Sequence, residues 1–288
     1  MATRQISGEA ARERLIEPLP VEETQIELAG ISTAVLEGGD GPPLILLHGP
    51  GEFAGKWMRV IPDLVETHRV IAPDLPSHGA SEMKDPTPDA DRLVSWLGEL
   101  IERTCETRPT LVGHVLGGAI AARFAIGHSE RLERLVLVDS LGLGRFRPSP
   151  AFAATMIGLQ ARPNERSYNR FMRQCSRDLD GLRDDMGELW DPFVAYYLDF
   201  ARGPGSKAVG RMLRRVGLPR IPDSELARIS APTALIWGRE DRANRLRIAE
   251  AARDRHRWPL HVVDDCADDP ARDRPRAFLA ALRAILAE

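Results

Sequence analysis

The chain has 288 residues, enough for one large α/β core with an insertion or for two small domains. Its apolar content of 43% and charged content of 28% are those of a globular protein, and no apolar run approaches the ~20 residues needed to span a bilayer. A net charge of -3 gives no reason to expect nucleic acid or an anionic membrane as partner, and three scattered cysteines form neither a zinc set nor a disulfide framework.

Residues Met1 to Arg14 are polar and charged and lack an apolar leader core, so a reducing, cytoplasmic location is the expectation. Ile26–Leu28 and Ile31–Leu36 flank Gly30 and read as a hairpin. Pro43–Leu47 is a short buried strand ending at His48-Gly49, followed by a helical stretch over Trp57–Val65 and a strand over Arg69–Ala72. Leu93, Trp96, Leu97, Leu100 and Ile101 fall on one face of a helix over Asp91–Cys105. Pro109–Val112 and Leu135–Val138 are compact apolar strands around a helix over Gly117–Ile126. From Pro150 to about Leu218 no strand-like run occurs, and aromatic residues recur at three- and four-residue spacing, among them Tyr168, Trp190, Tyr196, Tyr197 and Phe200. The strand–helix rhythm then resumes with strands at Thr233–Trp237 and His261–Val263 and a helix over Pro275–Leu286, for which Asp273 is the expected cap. The reading is an α/β fold with a mostly parallel central sheet flanked by helices: core at 1–140 and 226–288, helical cap at 141–225.

Three strand-end motifs, in order, resemble the α/β-hydrolase superfamily, in particular its capped esterase and epoxide-hydrolase-like branches. They are Leu46-Leu47-His48-Gly49-Pro50-Gly51 with the later Asp74-Leu75-Pro76-Ser77-His78-Gly79, then Val112-Gly113-His114-Val115-Leu116-Gly117-Gly118, then Ile236-Trp237-Gly238-Arg239-Glu240-Asp241. The second is similar to a nucleophile elbow, a sharp strand-to-helix turn that small residues allow. The resemblance implies that Val115 stands at the nucleophile position, Asp241 at the triad acid, and Asp268 where the histidine is expected. Valine has no nucleophilic atom. Of the oxyanion-hole region, the resemblance points to the Leu116 N–H and the residue after His-Gly; that residue is Pro50, which has no N–H, leaving Gly51 as the substitute. One missing donor costs about 2.7–4 kcal/mol of transition-state stabilisation.

The favoured expectation is a pseudo-hydrolase that binds a small apolar or aromatic molecule between core and cap, without Ser-His-Asp hydrolysis. The alternatives are an enzyme using Asp241 and Asp268 for acid–base chemistry, such as a lyase, isomerase or cyclase, and an atypical hydrolase. Ser140 lacks a nameable base, and Cys266 reads as a small buried residue. The sequence suggests no metal and no organic cofactor. It leaves open the oligomeric state and whether the protein is an enzyme.

Overall fold

In the computed structural model, residues 6–84 and 89–287 are described. Among them nine strands form one sheet: β1 (Glu22–Leu28), β2 (Ile31–Gly38), β3 (Pro43–Leu47), β4 (Arg69–Pro73), β5 (Glu82–Met83), β6 (Thr110–His114), β7 (Arg134–Val138), β8 (Thr233–Gly238) and β9 (Leu260–Val263). Their order is β1-β2-β4-β3-β6-β7-β8-β9, with the short β5 paired to β2. β1, β4 and β5 run antiparallel to β2, and every other pairing is parallel.

The central strands are apolar throughout because both faces are covered. Ile45, Leu47, Leu111, Leu135, Leu137, Leu235 and Trp237 point into one core, under the helices Ala90–Thr104 and Leu116–His128. Their neighbours Leu44, Leu46, Val112, Val136, Val138, Ala234 and Ile236 point into the other, against the helix Pro275–Ala287. This strict alternation is the period of a pleated strand written as a continuous apolar run.

Most predicted elements are present within a residue or two of their expected ends. The hairpin is longer than predicted, since Glu22–Gln25 are exposed polar residues on an edge strand and carry no apolar alternation. Its turn is Ala29-Gly30, both at positive φ, as a two-residue primed turn demands. The helix expected over Trp57–Val65 is two short pieces, Ala54–Trp57 and Ile61–Leu64; Pro62 lacks the N–H that would continue one helix through it. Asp273 does not cap the last helix. It ends a short helix, Pro270–Asp273, and its carboxylate turns to Arg272 Nε at 2.9 Å, while the Phe278 N–H bonds to the Arg274 carbonyl.

Between β7 and β8 the chain is helical, with the main helices at Pro150–Ala161, Glu165–Cys175, Leu179–Met186, Trp190–Arg202 and Gly205–Met212. Their apolar side chains, with Leu15, Phe53 and Met58, form a third cluster over the carboxyl ends of the strands. The first helix, Gly8–Ile16, packs on Trp190–Arg202 and so ties the amino-terminal segment to this layer. No helix among the described residues is long and apolar enough to cross a membrane.

Backbones also approach closely where β6 meets the helix Leu116–His128. A Cβ on Gly113 would sit 2.6 Å from both the Gly117 carbonyl oxygen and the Gly118 Cα, and one on Gly117 would sit 2.5 Å from the Leu47 carbonyl oxygen. Gly113→Ala should therefore lower stability by roughly 1–3 kcal/mol in chemical denaturation. Gly127, in the same helix, has nothing within 4 Å of its Cβ position, so Gly127→Ala should raise stability by about 0.5–1 kcal/mol. Equal effects of the two would contradict the packing described.

Candidate functional site

The carboxyl ends of β3, β6, β7, β8 and the loop after β9 converge on one region, the usual place for chemistry in an open parallel sheet. Val115, between β6 and its helix, has φ 47° and ψ -101°. A β-branched residue there is an outlier that costs about 1–3 kcal/mol unless its surroundings enforce it. They do: its N–H donates to the Val138 carbonyl at 3.0 Å, its carbonyl accepts from Leu141 at 3.1 Å, and the Gly117 N–H donates to the His48 carbonyl at 3.1 Å. The side chain is half-buried.

Leu116 opens the helix directly after Val115, as expected. Pro50 and Gly51 lie in the turn after β3, where Gly51 has φ 79° and its open side faces the Phe200 ring. The Gly49 N–H is already taken by Glu52 Oε2 at 2.5 Å.

Glu52 was not singled out by the sequence, yet it joins the site together. Its carboxylate also accepts from the Tyr197 hydroxyl at 3.2 Å and faces His114 Nδ1 at 3.3 Å, while its carbonyl accepts from Tyr196. Burial raises this carboxyl, but His114 and Lys56 outweigh it and hold Glu52 well below the usual carboxylate range. His114 uses its other nitrogen, Nε2, to donate to the Asp268 carbonyl at 2.8 Å. Lys56 is equally unannounced by the sequence; its ammonium lies 3.1 Å from Asp269 Oδ1 and 3.7 Å from the centre of the Trp57 ring.

Arg272 is the second hub. It meets Asp273 at 2.9 Å, Asp269 at 3.4 Å, Asp268 at 3.5 Å and the Cys175 carbonyl at 2.9 Å. Asp269 is buried and caps the short helix by accepting from the Arg272 N–H; burial raises its carboxyl, but Lys56 and Arg272 prevail and lower it. Asp268 keeps 16% of its side chain exposed. Burial pushes it well above the usual carboxylate range; Arg272 opposes this, and Asp241 and Asp269 add to it.

Asp241 follows β8 and accepts two backbone N–H bonds on Oδ1, from Ala243 at 2.7 Å and Asn244 at 2.8 Å. Burial nonetheless lifts it to about 6. Its neighbour is Asp139, at the end of β7, fully buried with φ 43° and bonded to the Gly238 N–H at 3.0 Å. Burial first, then Asp241, pushes Asp139 well above the usual range. Two acids at close range disfavour ionising together, and the charge of Asp241 is one cause of the rise at Asp139. Sequence reasoning missed Asp139 because a single aspartate after a strand carries no spacing signal.

Ser140 is fully buried against Gly118, and its hydroxyl donates to the Leu141 carbonyl. Cys266 is buried, and burial raises its thiol. Glu52, His114 and Asp269 bring ligand-type atoms within 4.8 Å of one another, a grouping the sequence spacing did not reveal. The chain's own ammonium, from Lys56, already lies against it. Two cavities, of about 170 and 600 Å³, open elsewhere: one beside Asp185 and Asp273, the other between Pro150–Ala161 and Glu165–Cys175; neither is lined by Val115, Asp241 or Asp268.

This architecture has recognisable kin. Residues 44–282 match the model of the alpha/beta hydrolase family, and the chain belongs to that family. It is 30% identical over 275 residues to 2-hydroxymuconate semialdehyde hydrolase of Pseudomonas sp. (strain CF600), covering 92% of this chain and 93% of that one. It is 28% identical over 216 residues to pimeloyl-[acyl-carrier protein] methyl ester esterase of Aeromonas hydrophila, covering 73% and 82%. Among solved structures, a bacterial membrane phospholipase A is similar with a TM-score of 0.82 at 25% identity, over 97% of this chain and 90% of that one. The 2-hydroxy-6-oxo-6-phenylhexa-2,4-dienoate hydrolase of Rhodococcus sp. strain RHA1 shares the fold with a TM-score of 0.80 at 23% identity, over 93% and 99%.

A carboxyl lifted to about 6, as at Asp241, keeps its proton in the native state after the unfolded chain has released it near pH ~4. Its stabilising contribution is full below that point and is lost as pH rises toward and through 6. Asp241→Asn keeps an oxygen for the two N–H groups and cannot ionise. Relative to the parent, it should gain roughly 2 kcal/mol between about pH 4.5 and about pH 7.5 in urea titrations. Parallel stability curves for the two proteins would contradict a raised carboxyl at Asp241.

Proposed function

We propose that this member of the family binds a small apolar or aromatic molecule between the sheet edge and a cap of residues 141–225, over a core of residues 1–140 and 226–288, without forming an acyl-enzyme. The observation that carries this reading is the side chain at the apex of the elbow: the backbone keeps its strained turn, and the group it lifts is the isopropyl of Val115. Two further features support it. Asp268 stands in the loop after β9, for which the resemblance implies a histidine, and His114 is committed on both ring nitrogens, to Glu52 and to the Asp268 carbonyl. A base so engaged has no free nitrogen to take a proton from a nucleophile. The named substrates of the relatives, among them 2-hydroxymuconate semialdehyde and 2-hydroxy-6-oxo-dienoates, suggest an unsaturated or aryl acyl compound as the class of ligand to try first.

A second reading has an observation of its own. Asp139, Asp241 and Asp268 are a set of carboxyls whose burial favours their neutral forms, the property expected of a general acid. Of the three, Asp268 has the most exposed side chain, at 16%, so it would carry the proton to a ligand.

The test is to treat the intact protein with a fluorophosphonate serine probe, then titrate it calorimetrically with a panel of aryl esters, dienoic acids and the corresponding ketones. The expected outcome is no labelling, no ester turnover, and binding that survives Asp268→Asn with less than about a fivefold loss. Covalent labelling of any serine would overturn the proposal. Turnover lost in Asp268→Asn but not in Ser140→Ala would select the acid–base reading instead.

A further inference from the structure

The helix Pro150–Ala161 does not behave as a surface helix should. It contains no charged residue, and only Phe152 in it is buried. Met156 and Leu159 rest partly on the cluster beneath, which leaves Ala151, Ala154, Ile157, Gly158, Gln160 and Ala161 outward. Ile157 is 61% exposed, the one large apolar side chain so exposed among the described residues. A helix of a globular protein normally turns its charged face to water, and an apolar outward face marks a contact surface.

Beside it lies the cavity of about 600 Å³ between this helix and Glu165–Cys175, floored by small residues such as Ala154 and Gly158 and edged by Arg162, Arg166 and Arg170. All three arginines are exposed, and among the described residues no ion pair involves any of them. Arg145 and Arg147 stand exposed just before the helix, and across residues 145–170 these five arginines face a single acid, Glu165. The whole-chain charge of -3, which gave no reason to expect a membrane, averages over a face that is locally basic.

We propose that this face docks on the surface of a bilayer containing anionic phospholipid. The helix Pro150–Ala161 lies in the boundary between headgroups and acyl chains, and Arg162, Arg166 and Arg170 engage lipid phosphates. The arginines that an interfacial helix carries on its own polar face are supplied here by the neighbouring segment, beside an uncharged helix. A second copy of the chain fits less well, because a twofold contact would set the same arginines against one another with only Glu165 to relieve them. This inference does not depend on the function proposed above.

Flotation of the full chain with vesicles of phosphatidylcholine alone, or of phosphatidylcholine with about one quarter phosphatidylglycerol, tests it. Binding is expected to the second kind only, falling as salt is raised. Replacing Arg162, Arg166 and Arg170 together by Glu should lower the partition coefficient by ~100-fold or more, and Ile157→Asp by ~10-fold. Both variants change exposed side chains, and unaltered circular dichroism would exclude misfolding. Absence of flotation with the anionic vesicles, equal flotation with both kinds, or parental binding in both variants would overturn the proposal. So would a dimer in sedimentation velocity that Ile157→Asp dissociates in the absence of vesicle binding, since that would assign the face to self-association.

Discussion

The site is held by one buried carboxylate. Glu52 is bonded to the backbone at the end of β3 through Gly49, to the strand below the elbow through His114, and to the inserted helices through Tyr196 and Tyr197. Removing a carboxylate from water costs several kcal/mol, and it is recovered only when every lone pair finds a donor and a cation stands near. Here the donors come from three parts of the chain that are far apart in sequence, so the charge is satisfied only when sheet, elbow and helical layer are assembled together. Breaking such a buried pair on one side typically costs about 3–5 kcal/mol, a large part of a domain's whole stability. The helical layer is thus tied to the sheet by a directional contact as well as by its apolar cluster.

Around that anchor the charges do not balance by simple pairing. Glu52, Asp139, Asp241, Asp268, Asp269 and Asp273 meet Lys56, Arg272 and His114. The excess is resolved by protons. Glu52, beside His114 and Lys56, and Asp269, beside Lys56 and Arg272, are held low, while burial first of all lifts Asp139, Asp241, Asp268 and Asp273. The influence of Lys56 separates the two groups, since Asp268 and Asp273 also meet Arg272 and are raised nonetheless, and burial alone would have raised them all.

The layout of the fold was legible because it rests on local patterns: doubly buried strands as apolar runs, a helix where Leu93, Trp96, Leu97 and Leu100 share a face, glycines where β6 and its helix nearly touch. The strand-end motifs likewise pointed to Val115, Asp241 and Asp268, and these do converge at one end of the sheet. What was not legible depends on distant partners. Glu52 and Lys56 sit in a stretch that reads as an ordinary loop, and their importance comes from His114 and Asp269, 62 and 213 residues away respectively. Asp139 matters because Gly238 and Asp241 surround it, which no window of sequence contains. Asp268 and Asp269 look alike in the chain, yet one caps a helix under Lys56 while the other remains in partial contact with water.

The turn at Val115 is held by its surroundings and not by its own side chain. Its φ of 47° is imposed from outside, by bonds from Val138, Leu141 and Gly117 and by contacts that only glycine permits at 113, 117 and 118. None of those interactions uses the side chain of residue 115. The turn therefore persists whatever that side chain is, at a steric cost of about 1–3 kcal/mol that the surrounding hydrogen bonds absorb. A scaffold that fixes backbone geometry so independently of its apex residue can carry a serine, an aspartate or a valine with the same fold. The likeness to hydrolases consequently speaks for the sheet and the turn, and the chemistry has to be argued from Val115, Asp268 and the buried carboxyls Asp139 and Asp241.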